Sequence, residues 1–517
     1  MLNIDHGLPW VYHADEAYHF TNRAVGIAGG DLNPHYFQNP SAYTYLLAAL
    51  LQVRFAGHLV ARYADDPTAV FVAARVVAAL LCMLGVAAVY AVGRRLWGTA
   101  AGLAAAAILS FAFLPVAYSR LAVTDVGAFF PIALAAYAIV RVQEAGGRAW
   151  LIGAGVAIGA AVGFKYTAGL LVVPLGVAAW LAHRAGRARV SDVAWAAGAA
   201  ALAFLVTTPF FLLDLHIALS QLKAQARAAD LPKVGQSQGG GPGFYLHTLT
   251  WGLGWGALAA AIAGAALELR RNPTRAVLLA LFPILLLLYI STAGRYFARW
   301  LMPAYPLLAL FGGVAIARVA ALAGPRPALR ALVVTALLAA VLAQPVAADL
   351  RTARLLGRED TREATLRFLE HALPGARLVV EPAVPAGWPG GGFRVGFGPP
   401  PKTPRNRASG PTRFIRDLSP ARVDAYRRAG FCTVVSFSLL RDRALADPRP
   451  RVRRYYRRLA RESRVVFRAS PYRPGAQPVP FDFDFSTHLY YPRAYERPGP
   501  DVTVYRLRGC PAPGPVS

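Results

Sequence analysis

Ten apolar runs, each about as long as a membrane crossing, occupy the middle of the chain. They cover residues 70–93, 100–117, 126–141, 150–164, 168–183, 193–213, 248–267, 276–291, 301–319 and 330–346. A transmembrane helix needs about 20 predominantly apolar residues. The pattern therefore predicts an α-helical membrane bundle of about ten helices. Prolines inside the runs, such as Pro131, Pro174, Pro283 and Pro306, do not contradict this, because neighbouring helices tolerate such breaks.

After residue 346 the pattern changes to that of a soluble domain. Residues 360–371 have helical spacing, with Asp360 as N-cap and Glu363 three positions later, as in a capping box. Residues 377–381, 433–437 and 502–507 predict strands, residues 451–461 predict a helix, and the Pro- and Gly-rich residues 382–411 predict a long loop. We therefore divide the chain into a first loop (1–69), a membrane bundle (70–346) and a small α/β domain (347–517).

Composition agrees with a polytopic membrane protein. Of the 517 residues 56% are hydrophobic, and the mean hydropathy is +0.39, which is too apolar for a soluble enzyme. The net charge of +28 comes mainly from arginine. We attribute it to loops that flank membrane helices, and we expect no nucleic-acid partner. Nine arginines from Arg449 to Arg468 form either a solvated basic face or a contact surface for anionic lipid headgroups or an anionic acceptor.

Basic residues in the loops predict the orientation of the bundle. One alternate set of loops holds thirteen, namely Arg94, Arg95, Arg141, Arg148, Arg184, Arg187, Arg189, Arg270, Arg271, Arg275, Arg318, Arg326 and Arg330. The other set holds seven, namely Arg120, Lys165, Lys223, Arg227, Lys233, Arg295 and Arg299. The positive-inside rule places the first set in the cytoplasm. Ten crossings then place residues 1–69 and 347–517 outside, in a multi-pass protein of the plasma (inner) membrane.

An N-terminal segment outside the cytoplasm needs an element that carries it across the membrane. Residues 1–7 supply none, so we expect one further membrane helix upstream of Met1. The alternative is that the first predicted crossing, 70–93, exports the segment itself. In the same compartment Cys432 and Cys510 have the opportunity to pair, because disulfides persist in oxidising environments.

Two adjacent carboxylates in the first loop are the leading candidates for chemistry. Asp15 and Glu16 lie in the segment His13-Ala-Asp-Glu-Ala-Tyr-His-Phe20. Adjacent side chains do not point to one face of a helix or strand, so we expect the two to have different roles. One takes a proton from a hydroxyl nucleophile as a general base, and the other binds a structural partner, caps a helix or holds a metal. The alternative is a solvated helix start with Asp15 as N-cap.

Charged residues in the later outer loops form a second set of candidates. Asp125, at the mouth of a membrane helix, is costly unless it is paired, and Arg120 is its expected partner. Lys165 lies between two apolar runs, where it either snorkels to the interface or binds phosphate. Arg295 and Arg299 are four residues apart and, if helical, share a face that suits a phosphate group.

The first loop also contains a group of histidines. They are His6, His13, His19 and His35, four of the ten in the chain. Together with the acidic pair they are a candidate metal site, but their spacing fits no zinc template. We therefore expect no cofactor and leave a divalent metal open.

Acids in the first two outer loops and cations in the later ones suit one kind of reaction. In it, a hydroxyl attacks a sugar carbon and an anionic phosphate leaves. The base activates the nucleophile, and the cations stabilise the charge that develops on the phosphate. A lipid-linked phosphate would lie between helices at the outer leaflet.

Several motifs of residues 1–346 resemble those of one enzyme superfamily. They are Asp15-Glu16, Asn33-Pro-His-Tyr-Phe37, Pro40-Ser-Ala-Tyr43, Ser119-Arg-Leu-Ala-Val-Thr-Asp125, Lys165-Tyr-Thr-Ala-Gly169, Arg295-Tyr296 and Trp300-Leu-Met-Pro-Ala-Tyr-Pro306. On these motifs the chain resembles bacterial GT-C glycosyltransferases that use polyprenyl-phosphate sugars. This is the superfamily of the protein O-mannosyltransferases and the aminoarabinose transferase of lipid A.

The resemblance implies a GT-C fold and an inverting transfer in which Asp15 is the catalytic base. It also implies that Asp125 assists in the site and that Lys165 or Arg295 contacts the donor phosphate. Because Arg120 and Arg299 lie in the same outer loops, we include both as candidate phosphate contacts. Members usually have a membrane helix before the acidic loop. Metal use differs between branches of the superfamily, so none is implied.

Three functional hypotheses follow. The leading one is an enzyme that moves a hexose or pentose from a polyprenyl phosphate to a protein, lipid or glycan acceptor outside the cytoplasm. The second is a transporter or flippase for a lipid-linked sugar, although the charged candidates gather at the outer mouths of the helices and no inverted repeat is visible. The third is a non-catalytic membrane assembly protein whose outer domain binds partners.

Overall fold

The chain forms two compact units, which we describe from a computed structural model. Residues 3–233, 236, 239–385, 387–390, 393–396, 414–415, 418–446, 450–479 and 490–510 are described. The first unit, called the membrane unit, comprises residues 15–231 and 238–350. The second, called the sheet unit, comprises residues 2–14, 232–237 and 351–517. Residues 3–14 of the predicted first loop therefore belong to the same unit as the C-terminal part of the chain, and not to the unit that contains the bundle.

Long apolar helices make up most of the membrane unit. They are Pro67–Trp97, Thr99–Phe111 with Phe113–Ser119, Phe129–Ala145, Arg148–Phe164, Val172–Arg184, Ser191–Thr207, Gly241–Leu249 with Trp255–Arg271, Pro273–Ser291, Tyr305–Ala321 and Pro327–Leu356. Each predicted apolar run coincides with one of them. Within the described residues, seven helical spans are long and apolar enough to cross a membrane, or nine if each of two bent pairs is one span. The predicted polytopic α-helical fold is confirmed.

One bent pair was not predicted. Ala42–Arg54 and Leu59–Asp65 meet at 85° within the segment that the sequence assigned to a polar loop. The first of these helices has only 13 residues, which is too short to register as a membrane crossing. Shorter helices complete the unit, namely Glu16–Phe20, Thr21–Ala28, Asp125–Ala128, Tyr166–Leu171, Phe210–Leu213, Leu215–Ala229, Thr250–Gly254 and Ala298–Ala304.

Small residues allow the membrane helices to approach closely. A Cβ atom added to Gly155 would lie 2.2 Å from the carbonyl oxygen of Ala196, and one added to Gly159 would lie 2.1 Å from that of Ala200. Helices Arg148–Phe164 and Ser191–Thr207 therefore pack backbone to backbone. Such contacts are typical of membrane bundles, where packing replaces the hydrophobic effect as the force between helices.

The sheet unit is built around a five-stranded sheet. Its strands are β1 (Arg377–Val380), β2 (Arg394–Gly396), β3 (Thr433–Phe437), β4 (Ser463–Ala469) and β5 (Val502–Leu507), in the order β2-β1-β3-β5-β4. Strands β2, β1 and β3 are parallel, and β5 runs antiparallel to its neighbours β3 and β4. Helices Thr361–Ala372, Ala421–Arg428, Ser438–Leu445 and Pro450–Arg461 accompany the sheet.

Most of the predicted elements of this unit are present. Asp360 caps helix Thr361–Ala372 by accepting a hydrogen bond from the backbone N–H of Arg362. The three predicted strands correspond to β1, β3 and β5. Strand β2 lies within the predicted loop 382–411, of which only part is among the described residues. Strand β4 was missed because its arginines obscure the alternation of apolar and polar residues that is typical of a strand. Cys432 and Cys510, next to the paired strands β3 and β5, form a disulfide.

A buried carboxylate lies at the end of β1. The side chain of Glu381 accepts hydrogen bonds from the hydroxyls of Ser436 and Tyr456 and from the backbone N–H of Phe437, each at 2.9 Å. Burial raises the pKa of Glu381 to about 7, although all three donors lower it. The folded state therefore binds a proton that the unfolded chain releases near pH 4.5.

We expect the stability of the sheet unit to fall as the pH rises from about 4.5 to about 7. The contribution of Glu381 is fully present below about pH 4.5 and is lost by about pH 7, a change of about 3 kcal/mol for this shift. Limited proteolysis of the full chain between pH 4.5 and 8 measures it. Glu381→Gln should flatten the profile over this interval, and a profile unchanged by the substitution would contradict the assignment.

Candidate active site

All seven predicted site residues belong to the membrane unit. The segment 118–125 connects them, since it interacts with four different charged groups. The side chains of Tyr118 and Arg120 interact electrostatically with Arg299 and Asp349, and the backbone N–H of Ala122 donates a hydrogen bond to Glu16. At its end, Asp125 binds Lys165. This short connection between two membrane helices therefore organises the site.

The side chain of Glu16 is completely buried and held by several donors. It accepts hydrogen bonds from Nε of Arg75 at 2.7 Å, from Nη2 of Arg75 at 2.9 Å and from the N–H of Ala122 at 3.0 Å. A carboxylate in a bidentate pair with a guanidinium has a fixed position. Glu16 therefore joins the first loop to helix Pro67–Trp97 and to the segment 118–125, and it lacks the exposure that a general base needs.

Asp15 has a different environment, as the sequence predicted for adjacent carboxylates. Its Oδ2 lies 2.8 Å from Nη2 of Arg299, and 28% of its side chain is exposed. Asp15 precedes helix Glu16–Phe20 but makes no side-chain capping hydrogen bond. The alternative of a simple N-cap is therefore wrong, because the carboxylate is directed to Arg299.

Asp125 and Lys165 form a buried ion pair. Nζ of Lys165 lies 2.5 Å from Oδ1 of Asp125, and both side chains are less than a tenth exposed. Two predictions are therefore wrong. Arg120 is not the salt-bridge partner of Asp125, and Lys165 does not snorkel to the interface. The backbone at Lys165 is extended where helix Arg148–Phe164 ends, and a buried acid is available to neutralise its charge.

Arg295 and Arg299 do not share a helical face. Phe297, between them, has an extended backbone, and the helix Ala298–Ala304 begins only after it. Arg299 pairs with Asp15, whereas no acidic side chain of the described residues forms a salt bridge with Arg295. Burial lowers the pKa of the Arg295 guanidinium, and its Nε is buried without a hydrogen-bond partner in the described part of the chain. Arg295 is thus a cation that an anionic ligand would neutralise.

An aromatic group beside Asp15 was not predicted as part of the site. The ring of Tyr36 stacks on His19 with 4.5 Å between centroids, and the guanidinium of Arg23 lies 4.8 Å from the same ring. Burial, followed by the negative charge of Asp15, raises the pKa of Tyr36 to about 12. Tyr36 belongs to the motif Asn33-Pro-His-Tyr-Phe37, which was its only signal in the sequence.

The histidines of the first loop are dispersed. His6 lies 3.5 Å from Asp360 in the sheet unit, His35 binds Asp31, and His19 stacks on Tyr36. Within the described ranges, no three His, Cys, Asp or Glu side chains form a group that could hold a metal ion. Arg75 was also missed, although a charged residue within an apolar run is a recognised signal of function.

Comparisons with known proteins agree with this fold. A family model described as dolichyl-phosphate-mannose-protein mannosyltransferase matches residues 68–212. Two structures of an oligosaccharyltransferase from Archaeoglobus fulgidus are similar. One is the apo form (11% identity, 90% of this chain and 70% of that one, TM-score 0.53). The other, AglB, is in complex with an inhibitory peptide and a dolichol-phosphate (13% identity, 91% and 73%, TM-score 0.50).

A structure of ArnT from Cupriavidus metallidurans bound to undecaprenyl phosphate also matches, with 15% identity over 71% of this chain and 69% of that one and a TM-score of 0.48. No curated protein matches the sequence. The likeness to the oligosaccharyltransferase structures identifies the fold as the GT-C membrane fold that the motifs implied. The family model covers less than half of the chain.

Proposed function

We propose that the protein is an inverting glycosyltransferase that moves a sugar from a polyprenyl phosphate to an acceptor outside the cytoplasm, with Asp15 as general base. The observation that carries the proposal is the contrast between two adjacent carboxylates. Glu16 is saturated by Arg75 and Ala122, whereas Asp15 is partly exposed beside Arg299. Of the two, only Asp15 has the exposure that contact with an acceptor hydroxyl requires.

The reaction is a single displacement. The acceptor oxygen forms a bond to the anomeric carbon on the face opposite the phosphate, so the configuration inverts. The bond between this carbon and the phosphate oxygen breaks, and the electron pair leaves with the polyprenyl phosphate. Asp15 takes the proton of the hydroxyl, and Arg299, released from its ion pair by that protonation, is available for the phosphate.

Arg295 is the leading residue for donor phosphate binding. Its charge is desolvated and has no salt-bridge partner among the described residues, which favours an anion. The charge of Lys165 is already neutralised by Asp125. We therefore propose that this ion pair fixes the position of the segment 118–125 and does not bind the phosphate. Arg120 attracts Asp349 and is the weakest of the predicted phosphate contacts. Since guanidiniums supply the positive charge, we propose that the reaction needs no metal, and turnover in excess chelator tests this.

Arg295→Gln is expected to raise the dissociation constant for undecaprenyl phosphate by about 10- to 150-fold. The reason is the loss of charge-assisted hydrogen bonds, each of which contributes about 1.5–3 kcal/mol. Arg295→Lys should retain part of the affinity, because lysine keeps the positive charge but cannot donate two parallel hydrogen bonds to one phosphate, as a guanidinium does. Exposed Arg227 provides the matched control, Arg227→Gln. Equal affinity of the Arg295→Gln variant and the control would refute the phosphate role.

Two observations support a site outside the cytoplasm. The arginine-rich loops lie at the ends of the helices opposite to the segment 118–125, as the positive-inside rule requires. The disulfide Cys432–Cys510 suits an oxidising compartment. A membrane-impermeant reductant added to intact cells should open this disulfide, whereas protection until the cells are lysed would contradict the orientation.

The decisive assay uses the purified chain in proteoliposomes with undecaprenyl phosphate that carries radiolabelled mannose, glucose or arabinose. Release of undecaprenyl phosphate together with a labelled acceptor product establishes transfer. Movement of the intact donor between leaflets without release would favour the transporter hypothesis. Absence of both with every donor would favour an assembly protein. The AglB structure contains a dolichol-phosphate, and we extend that class of lipid to this chain.

A further inference from the structure

The last membrane helix contains a carboxylate that the proposed reaction does not use. Asp349 is the only acidic residue of helix Pro327–Leu356, which is otherwise apolar over most of its length. It is partly buried, and its Oδ2 is inaccessible to solvent and receives no hydrogen bond from the described residues. A buried carboxylate oxygen without a donor is unfavourable, so its presence calls for a ligand.

The packing of this helix directs Asp349 toward the bundle. Val341, Pro345 and Asp349 follow one another at four-residue intervals and so share a face. The backbone of Val341 lies within 3 Å of a Cβ added to Gly256, and the ring of Pro345 lies 3.2 Å from a Cβ added to Gly254. The contact face of the helix therefore continues, one turn later, at Asp349.

The environment of Asp349 connects it to the active site. Arg120 is the charged group that attracts its carboxylate. Arg120 is two residues from Tyr118, whose side chain interacts with Arg299, the partner of Asp15. It is also two residues from Ala122, which binds Glu16. Asp349 is thus within electrostatic range of the segment 118–125, whose other residues interact with Arg299 and Glu16.

From this geometry we infer that Asp349, together with Arg120, is a subsite for the hydroxyl groups of a sugar ring. A carboxylate accepts hydrogen bonds from hydroxyls, and a guanidinium donates to their oxygens. The negative charge of Asp349 opposes a phosphate, so the ligand is the uncharged ring and not the leaving group. The inference rests on the proposed function and adds to it the group that recognises the sugar.

Binding of two lipids that differ only in the sugar tests the inference without turnover. The probes are undecaprenyl phosphate mannose and bare undecaprenyl phosphate, bound to the full chain carrying Asp15→Asn. We expect Asp349→Ala to lower the preference for the sugar-bearing lipid by about 10- to 150-fold, the value of hydrogen bonds to a charged acceptor. Affinity for the bare lipid should not change. Asp65→Ala, at an exposed acid of the same unit, is the matched control.

A second probe distinguishes the donor sugar from an acceptor sugar. Octyl mannoside carries the ring without a phosphate and acts as an acceptor analogue. If Asp349→Ala weakens the binding of octyl mannoside but leaves the preference for the sugar-bearing lipid intact, Asp349 does bind a sugar, and that sugar is the acceptor. If neither preference changes, the inference is wrong. If neither lipid binds the parent protein, the proposed donor fails and the subsite fails with it.

Thermal stability separates recognition from a structural role. Removing an unsatisfied buried carboxylate relieves a cost, so Asp349→Ala and Asp349→Asn should melt at or above the temperature of the parent chain. A structural ion pair with Arg120 predicts the opposite, a clear loss of stability in both variants. Asp349→Glu should recover part of the sugar preference. A loss of stability together with unchanged sugar preference would overturn the assignment.

Discussion

Asp15→Asn is expected to lower the turnover of the enzyme by about 100- to 10,000-fold, the usual contribution of a general base. The substitution preserves the shape of the side chain but removes its ability to take the acceptor proton. Binding of undecaprenyl phosphate should persist, because Arg295 does not depend on Asp15, and Arg299 loses its competing partner. A radiolabelled transfer assay gives the turnover, and a separate binding assay gives the affinity for the lipid.

The matched control is Asp31→Asn, in the same N-terminal segment. Asp31 is exposed, and in the described contacts its carboxylate binds only His35 and Asn33, so the loss of its charge should leave turnover nearly unchanged. The dependence on pH adds a second criterion. The parent enzyme should lose activity in acid as the base becomes protonated, and this limb should vanish in the residual activity of the Asp15→Asn variant. Full turnover by that variant would remove the proposed base.

Glu16→Gln is expected to destabilise the folded protein by about 3–5 kcal/mol, although it changes the residue next to Asp15. The substitution leaves the guanidinium of Arg75 buried without its counter-charge, and removing one partner of a buried ion pair has an effect of this size. The expected phenotype is loss of folded protein. Thermal unfolding in detergent and the yield of monodisperse protein measure it.

Two controls make this prediction specific. Replacing both partners, with Glu16→Met and Arg75→Leu, should recover much of the stability, because a buried pair is often replaced by apolar residues without loss. Arg62→Ala removes two exposed pairs, with Asp65 and with Asp66, and should change stability by less than about 1 kcal/mol. If Glu16→Gln folds as well as the parent and only loses turnover, Glu16 acts in the chemistry and the division of roles proposed here is wrong.

The local pattern of the sequence determined most of the secondary structure. Ten apolar runs predicted the membrane helices, since hydropathy summed over about 20 residues does not depend on the partners of a helix. The predicted strands 433–437 and 502–507 coincide with β3 and β5, because a short run rich in β-branched and aromatic residues is also a local signal. The sequence also selected Asp15 and Glu16, because two carboxylates next to a membrane bundle are unusual.

Only the tertiary structure decided which charges meet. Glu16 lies 59 residues from Arg75 and 106 from Ala122, and Asp125 lies 40 from Lys165. From the sequence, Arg120 was the expected partner of Asp125 because it is close along the chain, and this was wrong. Asp349 gave no signal at all. Partners within a bundle depend on how whole helices pack, which is a long-range property, whereas the sequence pattern records only whether each segment is apolar enough to enter the membrane.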